Sequence, residues 1–231
     1  MLREDNRVVL IDDPYYKASE DEMQFRMTYE GKLLSNGHHT HRHEIRKHFH
    51  RQLKHLWAVT PTLAEMRDPP VQLVEINRDL RSPEKVKTRI QGLAERFERN
   101  GYQFVPLITD DLHVSFCGIE LLYLRNGPRG AVVNKYGDID NRIKTLLDAL
   151  RMPEGKNELG DYTVPGENER PFFCLLQDDS MITKLAVETD VLLEPIGDRV
   201  DPNDARLIVT VSIQPRIVRL DLEFGTVNFV G

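Results

Sequence analysis

The stretch ARLIVTVSIQ, residues 205–214, sets Leu207, Val209, Val211 and Ile213 on one face of an extended chain. A period of two over that length marks a strand with one buried side. MITKLAVETDVLLE, residues 181–194, does the same, with Met181, Leu185, Val187 and Val191 on one face and Lys184, Glu188 and Asp190 on the other. Parallel strands covered on both sides read as unbroken apolar runs, so one-sided alternation favours a mainly antiparallel sheet with one wet or helix-covered face. The fold class expected is α+β: a single domain with helices packed on a mixed, mainly antiparallel sheet.

Working outward, MQFRMTYEG (23–31), YQFVPLI (102–108) and LHVSFCGIELLYL (112–124) are further strands. Between them, HHTHRHEIRKHFHRQLKHLW (38–57) spaces Ile45, Phe49, Leu53 and Leu56 on one side of a helix. DPPVQLVEI (68–76) is a proline-broken connection. Ser82-Pro83-Glu84 predicts a helix start, continued by Val86, Ile90, Leu93 and Phe97 and stopped at Asn100-Gly101. MPEGKNELGDYTVPGENERP is an excursion between two core elements rather than a domain boundary.

The chain has 231 residues, enough to bury a core without disulfides or a structural metal. No apolar run approaches bilayer length, and MLREDNRVVLIDD is not a signal-peptide pattern, so no membrane partner is expected. Cys117 and Cys174 sit in apolar stretches and read as buried free thiols, which points to a reducing cytoplasm; a bridge between them stays open. The net charge of −6 is uneven: residues 1–22 hold seven acids against three bases and residues 151–171 five against three, leaving the remainder balanced. Net charge therefore does not exclude a nucleic-acid partner.

YGDIDNRIKTLLDAL, residues 136–150, carries the chemistry. Ile143, Leu146, Leu147 and Leu150 form an apolar helical stripe, and Asp140, Lys144 and Asp148 run along its edge one turn apart. Asp138 precedes the helix, whose positive end and free amides favour gathered negative charge. On the conservative reading Asp140 caps the helix, Lys144 pairs with Asp140 and Asp148, and Asp138 is a solvated loop acid. A second pair, Asp178-Asp179, stands between an apolar run and a strand, where a plain turn is the alternative. Two acidic turns at the ends of core elements also suit magnesium, which takes one or two carboxylates plus substrate phosphates.

The order D-x-D-N-x-x-K at Asp138, Asp140, Asn141 and Lys144, then Asp148-Ala149-Leu150, then Asp178-Asp179 before a strand, resembles the RusA-like Holliday junction resolvases, crossover junction endodeoxyribonucleases. The order of elements is similar too: a strand, a Ser35-Asn36 turn, a long helix, then a strand leading to the motif. The resemblance spans residues 23–215, with the specific signal in 136–190. It implies a homodimer that binds branched DNA, the four-way junction above all, and nicks two opposed strands with Mg2+, or Mn2+ as substitute. It further implies Asp138, Asp140 and Asp179 as metal ligands, Lys144 as catalytic lysine, and Asp178, Asn141 and Asp148 as auxiliary residues. On this reading residues 1–22 are an acidic arm that could compete with DNA. Residues 23–231 are the endonuclease domain, with the 151–171 excursion covering the site or lengthening the dimer interface. Lys135-Tyr136-Gly137 stands where the family often has arginines, the spacer before Asp178 is longer, and the chain is more acidic; these bear on substrate choice.

Seven of the eight histidines lie in residues 38–55. His41, His48 and His55 line one edge of the apolar face, but a spacing of seven residues puts successive rings about 10 Å apart, too far for one ion. His38, His39 and His41 could gather in a turn. Arg42, Arg46, Lys47, Arg51 and Lys54 spread around the polar side, and a basic helix meets phosphates well; the alternative is a solvated face. If histidine protonation contributes, DNA binding should strengthen as pH falls. The functional expectation is a magnesium-dependent structure-specific endonuclease resolving four-way junctions. Its rivals are a nuclease of the same site acting on other DNA structures and a catalytically silent DNA-binding or scaffold module.

Overall fold

The computed structural model describes residues 23–61, 63, 87–110, 115–126, 139–197, 200–215, 218–221 and 226–229. The acidic arm, the helix start at Ser82, the DPPVQLVEI connection and Asp138 lie outside them. In chain order the described elements are β1 (Met23–Lys32), α1 (His39–Val59), α2 (Arg89–Arg96), β2 (Glu98–Arg99), β3 (Tyr102–Ile108), β4 (Ser115–Arg125), α3 (Ile139–Leu150), β5 (Phe172–Leu176), β6 (Ile182–Val191), β7 (Asp204–Pro215), β8 (Val218–Asp221) and β9 (Thr226–Phe229).

The main sheet has the order β1-β7-β4-β6. β7 runs antiparallel to both β1 and β4, and β4 runs parallel to β6, so the sheet is mixed and mainly antiparallel within an α+β fold. Register explains the alternation. Met27, Val209 and Leu121 lie side by side, as do Tyr29, Leu207 and Tyr123, and all six are buried. The other face carries Glu30, Arg206, Glu120 and Lys184, joined as Arg206–Glu30 and Lys184–Glu120 ion pairs at 2.7 Å each.

A second sheet, β2-β3-β5, sets β5 parallel to β3. Every residue of β5 is buried, the unbroken apolar run that a covered parallel strand needs. α1 joins the two sheets through Ile45, Phe49, Leu53 and Trp57; its His50 ring stacks on Phe172 and Phe173 of β5, and Trp57 lies tilted against Phe173. Cys117 and Cys174 are both buried and unbridged. Among the described residues no helix is long and apolar enough to cross a membrane.

Three expectations change. The helix that carries Ile90 and Leu93 is α2, Arg89–Arg96, and it does not run on unbroken from further back, because Thr88 is extended and forms a capping box with Gln91. Asn100-Gly101 is not the helix stop; the helix ends at Arg96, and the dipeptide turns the β2–β3 hairpin with φ of 53° and 81°. Positive φ at both central residues is what a tight hairpin demands and Asn-Gly supplies. Finally, Leu185 and Val187 remain 44% and 39% exposed, although they share a face with buried Ile119 and Leu121. Among the described residues β6 is the last strand of the sheet, with Ile119 and Leu121 of β4 the buried neighbours on its inner side.

Candidate functional site

α3 forms where its sequence requires it: Ile143, Leu146, Ala149 and Leu150 are buried along one side. Asp140 stands exposed in its first turn, where one carboxylate oxygen accepts the Asn141 amide at 2.8 Å. The free amides of this helix end favour negative charge. Lys144, one turn on, is exposed and makes no ion pair among the described residues. Asn141 is half-buried, its carbonyl accepting the Thr145 hydroxyl at 3.1 Å.

Asp148 points the other way. It is buried and paired with Arg42 at 3.1 Å and Arg151 at 3.5 Å, so it braces the fold and does not meet Lys144. Asp178 caps the short turn before β6 by accepting the Ser180 amide at 2.9 Å. Hydrogen bonds from Ser180 hold its carboxyl below the usual range, with Arg151 contributing. Asp179, the next residue, is exposed.

The two acidic motifs sit at opposite ends of the main sheet. Arg142, in the first turn of α3, donates to the Leu33 carbonyl and to Asn203 Oδ1, placing Asp140 beside the Lys32–Asp204 end of the β1–β7 pair. Met152, just past the other end of α3, donates to Leu176 at 2.8 Å, and Ile182 pairs with Cys117 near the start of β4. The length of α3 from Asp140 to Leu150, about 15 Å, therefore lies between the motifs. No group of three or more His, Cys, Asp or Glu among the described residues could hold a metal ion. The donor chemistry at each end, exposed carboxylate oxygen, is nonetheless of the kind magnesium takes.

The basic face expected on α1 is largely occupied. Arg46 is a correction: it is 2% exposed, with Nε donating to the Arg151 carbonyl, an Nη to the Asp148 carbonyl, and the other Nη against His43 Nδ1. It cannot reach DNA, because its guanidinium caps the C-terminal end of α3; burial brings its pKa down to about 10. Arg42 is held by Asp148, Lys47 pairs with Glu169 at 2.8 Å, and Lys54 donates to the Asn168 carbonyl. Arg51 is exposed and lies against His48 Nδ1 at 3.3 Å.

The histidines act as connectors. His38 caps α1 by accepting the His41 amide, and the His41 ring accepts from Leu34. His48 meets the Thr28 carbonyl, and His50 joins Phe173 N to the Asn168 carbonyl. Burial lowers the pKa of His41, His43, His48 and His50, most for His43, to about 3. Burial therefore works against protonation of all four, and most against that of His43, in opposition to the expected strengthening of DNA binding as pH falls.

Sequence reasoning missed the buried arginines. Arg142 lies one turn before Leu146 on the apolar stripe, which was the available signal. Arg151 makes a two-pronged pair with Glu158 of the excursion at 2.9 and 3.0 Å. The excursion thereby docks on α1 and the end of α3: Thr40 donates to Asp161, and Tyr162 reaches Glu44. Compared with known proteins, the chain finds no match: no protein-family model, no curated protein and no solved structure.

Proposed function

We propose that this protein is a metal-dependent endonuclease of branched DNA, acting as a homodimer in the manner of the RusA-like resolvases its motifs resemble. One observation carries the reading. Asp140, Lys144 and Asp179 stand exposed and make no ion pair among the described residues, while nearby Asp148 and Asp178 are engaged in pairing and capping. Asp140 accepts the Asn141 amide much as Asp178 accepts that of Ser180, but among the described residues neither Asp140 nor Asp179 has a cationic side chain to balance its charge.

Asp140 and Asp179 would hold Mg2+ or Mn2+, with Asp138 completing the set suggested by the motif. Bound there, the cation supplies positive charge against the scissile phosphate. Lys144, a turn from Asp140, places a second positive charge where charge develops as the phosphodiester breaks. With α3 between the motifs, a cation held by both would take Asp140 from one copy and Asp179 from another, and such a site would need a homodimer.

The test is cleavage of a labelled four-way junction, with and without magnesium, beside a linear duplex. Asp140→Asn and Asp179→Asn alone should each be inactive. Mixed and allowed to exchange subunits, they should regain nicking of one strand, because one of the two shared sites is then intact. Wild-type cutting with no recovery in the mixture would put each site within one chain. Metal-dependent cutting of other structures would change the substrate, and junction binding with no cutting by the wild type would leave a binding module.

A further inference from the structure

β6 ends the main sheet and is ten residues long, and no described strand pairs with its outer edge. The opposite edge is treated differently. On β1, Thr28 N donates to Gln52 Oε1 at 2.9 Å and the Thr28 carbonyl accepts Gln52 Nε2 at 2.7 Å, so α1 plugs that edge. An unplugged edge strand is a template for another strand, and β6 also leaves Leu185 and Val187 exposed on the sheet face that is otherwise covered.

We infer that β6 pairs antiparallel with β6 of a second copy, centred on Ala186, to make one continuous sheet through the dimer. A twofold axis through the sheet keeps each side chain on its own face, so a residue can only oppose one an even number of positions away. Centring on Ala186 opposes Lys184 to Glu188, Leu185 to Val187 and Thr183 to Thr189, each twice by symmetry. Opposite charges meet on the wet face, and apolar side chains meet on the covered one. Centring on Glu188 would set that carboxylate against itself. Centring on Val187 would oppose Leu185 to Thr189 and Ala186 to Glu188. Lys184 already meets Glu120 within its own chain, and Glu188 has no ion pair among the described residues, so the pairing extends an existing pair into a row.

The register also turns each chain end for end relative to its neighbour. Asp179, just before β6, then approaches the far end of the second copy's β6. There Leu192 is tied to Arg125, and the second copy's α3 begins at the same end of its sheet, beside β7 two strands further in. The inference shares with the proposed function only the need for a second copy, and its test reads mass, not cleavage.

Sedimentation equilibrium of the full chain, without DNA or metal, should give about twice the 26.8 kDa of one chain. Lys184→Glu and Glu188→Lys should each weaken the dimer about tenfold or more, since like charges then oppose at two symmetric points. An equimolar mixture of the two singles should recover association that neither shows alone, which also shows that the single variants are folded, and the double variant should associate more tightly than either single. Ala186→Cys should form a disulfide-linked dimer under mild oxidation, because directly opposed Cα atoms stand about 4.5 to 5.5 Å apart, within disulfide reach. A wild-type monomer at tens of micromolar, or a dimer indifferent to all these changes, would overturn the inference.

Discussion

Arg46 joins α1 to α3 with bonds that no hydrophobic side chain can replace. Its donors reach the Asp148 and Arg151 carbonyls, groups that a helix C-terminus leaves without internal partners. Arg46→Met should therefore cost about 3 kcal/mol in urea denaturation, by leaving two buried carbonyls unmet, with DNA affinity per folded molecule unchanged. His43 makes a second prediction at this scale. It lies between Phe172, Tyr162 and Tyr102, with Arg46 and Lys47 nearby, and burial brings its pKa down to about 3. Its folded pKa is below its unfolded one, so its stability contribution is complete above about pH 6.5 and is lost as pH falls toward 3. For His43 alone the loss is about 1.4 kcal/mol per pH unit. Urea midpoints should thus drop between pH 6.5 and 5, where carboxylates stay ionised, and His43→Gln should flatten that slope while lowering stability at pH 7. Little of this was legible in sequence. Arg46 and His43 sit among surface-type residues of a polar helix, and the carbonyls that bury Arg46 come from more than a hundred positions away.

The strands were legible because a half-buried sheet imposes a period of two on sequence. Alternation names the face, however, and not the neighbour, so it could not show that β6 is an edge where Leu185 and Val187 stay wet. Asn100-Gly101 was misread because one dipeptide serves both a helix end and a tight hairpin, and only the pairing of Glu98 with Gln103 decides between them. The excursion was read as an insertion, yet its docking depends on backbone approach. Gly160 has φ +61°, and a Cβ there would come 2.4 Å from the Thr40 amide nitrogen. Gly160→Val should lift this segment off α1, seen as faster proteolytic nicking within residues 152–171 and as a lower melting temperature. The candidate acids were legible as a pattern, and the first turn of α3 is where Asp140 was expected. Their separation was not, since the direction of α3 along the sheet is a property of the whole crossover.

Across the molecule, the main sheet is assembled from strands distant in the chain. β7 lies between β1 and β4, pairing Met23 with Ile213 and Ile119 with Val211. A strand near the end of the chain therefore forms the middle of the sheet. On a translating ribosome β1, α1 and β4 emerge before the strand that joins them exists, and pairing over such separations carries a large loop-closure cost. The nascent chain must keep the buried face of β1 from other chains until residue 215 has left the exit tunnel, while β4 can already pair with β6, so β1 is the strand that waits longest for its neighbour.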